Sequence, residues 1–250
     1  KVQNQISVVT DDLEIGGDSF KIKANFNVGK GNALFDIDIL THIKWSNASN
    51  LLSNNISSKL NKFDLKAPLT ATCVIKGDMS EKSDPEIVVT AVIKYDLLGT
   101  SYGIVENCSF NGKFTNNYKN GLGFNDANSA IIITEFKGDY KEIPIRIPSA
   151  TINNLEKPVA TGKFNSEYDV VKLGNFINED FIKFSGGNAK VNLDFKVDIV
   201  DLKLHKPKFT GAILLKNANL FLKSKNVNFQ KANIDLYFTE QALLKKKIKF

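Results

Sequence analysis

The stretch Ala189-Lys190-Val191-Asn192-Leu193-Asp194-Phe195-Lys196-Val197-Asp198-Ile199 decides how this chain folds. Every second side chain in it is apolar, and every intervening one is polar or charged. A β-strand sends successive side chains to opposite faces, so this is a strand with one apolar face and one wet face. Phe20, Ile22, Ala24, Phe26 and Val28 repeat the pattern against Lys21, Lys23, Asn25 and Asn27. Phe35, Ile37, Ile39, Ile43 and Trp45 do so against Asp36, Asp38, His42 and Lys44.

Working outward from these strands, the alternation and the turn signals predict strands over 5–10, 19–28, 33–45, 69–77, 86–96, 101–114, 129–137, 142–147, 149–155, 159–168, 187–200, 208–216, 218–223, 226–238 and 243–250. From Ser46 to Leu60 the rhythm breaks. Leu51, Leu52, Ile56 and Leu60 fall at helical spacing with Ser49 or Asn50 as N-cap, which predicts a short amphipathic helix that caps or partly roofs the sheet. A further helical turn is expected near 170–176. The fold class is therefore all-β with one or two short helices, and 1–250 reads as one elongated unit. Its apolar faces either close on one another in a β-sandwich or stay open as a groove.

The 250 residues are 42% hydrophobic and 24% charged, ordinary values for a folded chain. No apolar run approaches the ~20 residues that span a bilayer, and no signal peptide opens the chain. A chain that opens on Lys1 is expected to be a processed product or an excised piece, with any membrane anchor outside it. The net charge of +6 is almost wholly lysine, Arg146 being the only arginine. Those lysines form the polar half of the alternation, with one denser run at Lys245-Lys246-Lys247. No basic stripe with interleaved aromatics occurs, so nucleic acid is not an expected partner.

Cys73 and Cys108, the only cysteines, sit in predicted strands and read as buried thiols; a disulfide between them stays open. The sequon matches at Asn47, Asn55 and Asn107 carry no weight in so asparagine-rich a chain. No phosphate-binding loop, dinucleotide fingerprint, nucleophile elbow or zinc-protease motif is present. His42 and His205 lack a nearby nucleophile, and the acid pairs Asp11-Asp12 and Glu179-Asp180 fall in turn-like segments. No catalytic, cofactor or metal site is expected, and the chain reads as a non-enzyme. A glycan-binding module is the weakest alternative, because Trp45 is the only tryptophan and lies on an apolar strand face.

The segment from Gly103 to Phe250 resembles the AsmA-like family of bacterial envelope proteins. The likeness is carried by an ordered series of phrases: Ile104-Val105-Glu106-Asn107-Cys108-Ser109-Phe110-Asn111-Gly112-Lys113-Phe114; Asp126 to Ile133 leading into Phe136-Lys137-Gly138-Asp139-Tyr140; Ile152-Asn153-Asn154-Leu155-Glu156-Lys157-Pro158; Phe184-Ser185-Gly186-Gly187-Asn188-Ala189; and Gly211 to Leu220. The resemblance implies a long curved, mainly antiparallel sheet forming a U-shaped apolar groove, as in TamB and the bridge-like lipid transfer proteins. It further implies a periplasmic location, an inner-membrane anchor outside this chain, a phospholipid or other acyl lipid as cargo, and an outer-membrane protein as a further partner. On that reading Phe20, Ile22, Phe26, Phe35, Ile37, Ile39, Leu193, Phe195, Val197, Ile199, Ile234, Leu236 and Phe238 line the groove. The alternatives are a structural or adhesive β-sandwich and the glycan binder.

Overall fold

A computed structural model describes residues 4–29, 33–50, 54–79, 84–200 and 203–239. The strands are β1 (Gln5–Ile15), β2 (Asp18–Asn27), β3 (Leu34–Ile43), β4 (Asp64–Leu65), β5 (Leu69–Asp78), β6 (Glu86–Thr100), β7 (Gly103–Thr115), β8 (Ala130–Tyr140), β9 (Ile143–Asn153), β10 (Val159–Asp169), β11 (Ile182–Val200), β12 (Lys203–Leu222) and β13 (Val227–Phe238). They form one 13-stranded antiparallel sheet in chain order, save that β4 pairs with the far end of β6 beside β5. The sheet does not close: β1 and β13 are its two edges.

Two predicted breaks are absent. The segments 142–147 and 149–155 are a single strand, β9, because Pro148 falls where the β9–β10 register slips between Arg146 and Ala150, and a bulge tolerates its missing N–H. The segments 208–216 and 218–223 are likewise one strand, β12, with Asn217 at a bulge rather than a turn. β1 extends to Ile15 through a bulge that holds Asp11 and Asp12, so this acid pair sits in a strand and not in a turn. The predicted strand 243–250 and the run Lys245–Lys247 lie outside the described residues.

The predicted helix is two helices, α1 (Trp45–Ser49) and α2 (Asn54–Leu60), and β3 ends at Ile43, so Trp45 opens α1 instead of closing a strand. Leu51 and Leu52, half of the predicted stripe, lie outside the described residues, as does the side chain of Ile56. Ser49 and Asn50, expected as an N-cap, instead end α1, Ser49 as its last residue and Asn50 as its C-cap. Its start is held by Asp18, whose carboxylate accepts from the Lys44 amide at 3.0 Å and from Asn47 Nδ2 at 2.6 Å. Those bonds, Asn47's foremost, hold the Asp18 carboxyl below its ordinary value. The expected turn near 170–176 is a 3₁₀ turn over Val170–Asn175, capped by the Asp169 carboxylate on the Val171 amide.

Bulges shape the sheet. Tyr95, Asn107 and Glu135 adopt φ of 54°, 52° and 56° in the neighbouring strands β6, β7 and β8; Gly187, Asn217 and Lys231 do the same at 109°, 51° and 53° in β11, β12 and β13. The register slips at these positions bend the strands and sharpen the twist, so two aligned series curve the sheet rather than letting it run flat. The freed amides find side-chain acceptors on the next strand. Tyr95 donates to Ser109 Oγ (2.9 Å), Asn217 to Asn233 Oδ1 (3.2 Å) and Lys231 to Asn219 Oδ1 (2.9 Å). The last two are reciprocal between β12 and β13. Gly187 allows a close approach that no other residue could make, since a Cβ there would lie 2.6 Å from Ala218 Cα.

The closed β-sandwich is not what forms. There is one open sheet, and its buried clusters join strand neighbours or a connecting segment lying on them, not two facing sheets.

Candidate functional site

Register places the apolar residues of successive strands side by side. One row runs Thr10–Ile22–Ile39–Cys73–Val89–Phe114–Ile131–Ile152–Ala160–Val197, each residue directly opposite the next, from β1 to β11 without a break. The neighbouring row continues to β12: Leu13–Phe20–Thr41–Ala71–Ala91–Gly112–Ile133–Ala150–Gly162–Phe195–Phe209. At ~4.8 Å between strands, the rows are mainly apolar tracks roughly 43 and 48 Å long, perpendicular to the strands and broken only by Thr10 and Thr41. The middle of the second row is Ala and Gly apart from Ile133, which lowers the floor there.

All the expected groove residues fall on this one face. Phe20, Ile22 and Phe26 of β2 pair with Thr41, Ile39 and Phe35 of β3, and Ile37 pairs with Ala24. Leu193, Phe195 and Val197 of β11 pair with Phe164, Gly162 and Ala160 of β10, and Ile199 continues their side of the strand. Ile234, Leu236 and Phe238 of β13 oppose Leu215, Ile213 and Gly211, which in turn oppose Ala189, Val191 and Leu193. Of these candidates only Val197 is buried, at 6%; Leu236 is 38% exposed and the others are half-buried. Two of the rings lie down over glycines. A Cβ on Gly77 would meet Phe35 Cζ at 2.6 Å, and one on Gly162 would meet Phe195 Cζ at 2.8 Å. Several of the fully covered positions on this face are small, as with Ala24, Ala71, Ala160 and Ala189.

The middle of the face is covered. Trp45 and Ala48 of α1 pack on Ile43, Leu65, Leu69 and Ile93, and Leu60 of α2 reaches Phe114 and Leu155. Trp45 Nε1 donates to the Leu60 carbonyl at 3.2 Å, and Ser57 Oγ donates to the Ser49 carbonyl at 2.6 Å, so the two short helices brace one another. Trp45 is thus committed to the underside of this insertion rather than offered to a sugar. The insertion is anchored from behind by Asp96, a buried carboxylate at the β6 bulge that accepts from the Ala67 amide (3.1 Å) and the Leu97 amide (2.7 Å) where β4 hands over to β5. Far along the sheet, Val170 and Leu173 of the 3₁₀ turn cover Ala189, Leu215 and Leu220.

Both thiols are free. Cys73 lies half-buried in the long row, and burial pushes its pKa up. Cys108 is fully buried beside Val105 and Phe136; burial, with the Asp96 charge adding to it, pushes its pKa up to about 12. The opposite face is mostly polar, with Leu40, Val74, Val88, Val92 and Ile132 among its lysines, threonines and asparagines. His42 is exposed there with Nδ1 3.3 Å from Thr70 Oγ1. Glu179 and Asp180 are spent on surface ion pairs with Lys183 (3.4 Å) and Lys223. Among the described residues no group of His, Cys, Asp or Glu is placed to hold a metal ion, and no helix is long and apolar enough to cross a membrane. Comparison with family models, with curated proteins and with solved structures finds no match for this chain.

Two features went unread in the sequence. The rows themselves depend on register, which no single strand encodes. The knot of turns around Tyr102, Tyr140 and Phe176 joins residues far apart in the chain, and its only trace is aromatic residues at turn positions.

Proposed function

We propose that this chain is a non-enzymatic segment of a lipid conduit, AsmA-like in kind, whose apolar face shields acyl chains passing between the inner and outer membranes across the periplasm. The observation that carries the reading is the pair of mainly apolar rows that cross an open sheet on one face, covered by the helical insertion at the middle and half-buried on β2, β3 and β11. An acyl chain exposed to water costs roughly 0.8 kcal/mol per CH₂, on the order of 12 kcal/mol for a chain of about sixteen carbons. A continuous apolar floor removes most of that cost without specific contacts, and half-buried Phe, Ile and Leu side chains are the kind of floor required. The partners this function calls for are a phospholipid or other acyl lipid, a membrane anchor outside the chain, and an outer-membrane protein at the far end.

Fluorescent fatty-acyl probes test the reading. Probes with different head groups should bind the folded chain with similar affinity and little dependence on salt, because the hydrocarbon supplies the energy. Native mass spectrometry of the purified chain should reveal co-purifying lipids. Failure of every acyl probe to bind well-folded protein overturns the proposal and leaves a structural or adhesive role as the better account.

A further inference from the structure

One end of the strands carries a surface that the groove does not explain. Three connections meet there: the β6–β7 turn at Tyr102, the β8–β9 turn at Lys141-Glu142, and the segment after β10 that includes Phe176 and Phe181. They are tied together tightly. Tyr140 donates its hydroxyl to the Tyr102 carbonyl, Lys172 Nζ donates to the Glu142 carbonyl at 2.9 Å, and Asn175 Nδ2 donates to the Lys141 carbonyl at 3.1 Å. The Tyr140 and Phe176 rings meet at 5.7 Å, with Lys141 Nζ 5.1 Å from the Phe176 centroid.

A knot so well bonded would ordinarily hide its aromatic side chains, yet Tyr102 is 62% exposed, Phe181 64% and Phe176 45%. Apolar area held open on a braced platform is characteristic of an interaction surface. Its composition narrows the partner. Aromatic rings with lysine ammonium groups held beside them are the side chains found at the boundary between hydrocarbon and lipid head groups. Lys141 and Lys172 form no ion pair among the described residues; of the acids nearby, Glu179 and Asp180 are taken up by Lys183 and Lys223, Asp169 caps the Val171 amide, and Glu142 is the remaining one. We propose that this rim docks on an anionic phospholipid surface, with Tyr102, Phe176 and Phe181 entering the head-group layer and Lys141 and Lys172 facing its phosphates. The proposal concerns the ends of the strands and stands apart from whatever occupies the apolar face.

Vesicle flotation of the full chain tests it. The chain should float with vesicles containing phosphatidylglycerol and far less with pure phosphatidylcholine. Each lysine near an anionic surface contributes about fivefold in binding, so Lys141→Glu with Lys172→Glu should abolish the preference for the anionic vesicles. Tyr102→Ser, Phe176→Ser and Phe181→Ser together should lower the bound fraction about tenfold or more. Because Phe176 also packs on Tyr140, the pair Tyr102→Ser and Phe181→Ser, both largely exposed, repeats the measurement without touching a packed ring. Acyl-probe loading of the same variants should match the wild type. A wild-type chain that floats with neither vesicle, or aromatic variants that float as well as the wild type, overturns the docking surface. Lost acyl loading with vesicle binding retained would sink the groove reading and leave this one standing.

Discussion

The middle of the sheet and its β2–β3 flank carry the same alternation and end in different environments. Under the helical insertion, Leu65, Leu69 and Ile93 are closed off together with Ile43 at the last position of β3, which falls to 1% exposure. On β2 and β3, Ile22, Ile37, Ile39, Phe26 and Phe35 stay half-buried on the same face of the same sheet. An apolar strand face is therefore not by itself a core. It becomes one where something lies on it, and remains a trough where nothing does. The comparison makes the insertion a local substitute for the second layer that a sandwich would have supplied along the full length.

The largest effect expected from that difference is on stability. Leu69→Asp places a carboxylate beneath α1 with no partner and should cost about 4 kcal/mol or more, seen as a lowered midpoint in urea unfolding. Ile39→Asp, only a few residues away in space, can turn its charge toward the open side of the face and should cost about 1–2 kcal/mol. It should nonetheless lower acyl-probe loading, because it interrupts the long row between Ile22 and Cys73. Equal destabilisation by the two would mean that β2–β3 is covered as fully as the middle, and the contrast would be lost.

Much of this was legible in the alternation. The all-β class, the location of nearly every strand and the common face of the groove residues follow from period-two patterning, which register then preserves across partners. The bulges were legible too, as slips of phase. Apolar residues move from Ile213 and Leu215 to Ala218 and Leu220 across Asn217, from Val105 to Cys108 and Phe110 across Asn107, and from Ile131 and Ile133 to Phe136 across Glu135. The slip at Asn217 resembles a turn when read locally, which is why β12 looks like two strands in the sequence. What alternation cannot carry is the choice between trough and core. That choice rests on where Trp45, Ala48 and Leu60 come to lie, a contact between a connection and distant strands.

The bulges give a second and smaller test, now comparing the two ends of the sheet. Asn219 and Asn233 cap each other's strands at the β12–β13 bulges, while Ser109 alone serves Tyr95 in β6. Asn219→Ala and Asn233→Ala should each cost about 1 kcal/mol, because each leaves an amide without its side-chain acceptor. Hydrogen exchange should show the loss confined to β12 and β13, with β2 and β3 unchanged. Faster exchange spread over the whole sheet would mean that the bulges at one end set the curvature of the other.

The smallest effect is a difference in rate between two thiols that share the apolar face. Cys73 is half-buried in the long row, and Cys108 is sealed beneath Val105 and Phe136. Near neutral pH a water-soluble thiol reagent should label Cys73 first, and Cys108 only as fast as β7 opens. An acyl probe resting on the row should slow labelling of Cys73 and leave Cys108 unchanged, which places the probe on the trough and not elsewhere on the protein. The raised pKa of Cys108 supplies an independent check. In the unfolded chain this thiol ionises near its ordinary value, whereas in the folded chain it holds its proton up to about 12. Stability should therefore decline as pH rises through that window, because the unfolded state has already released a proton that the folded state retains. Cys108→Ala should flatten that part of the decline, and Cys73→Ala should flatten it less. If Cys108 labels as fast as Cys73 in folded protein, then β7 is open to solvent at that point, and the covered middle of the sheet is not a core after all.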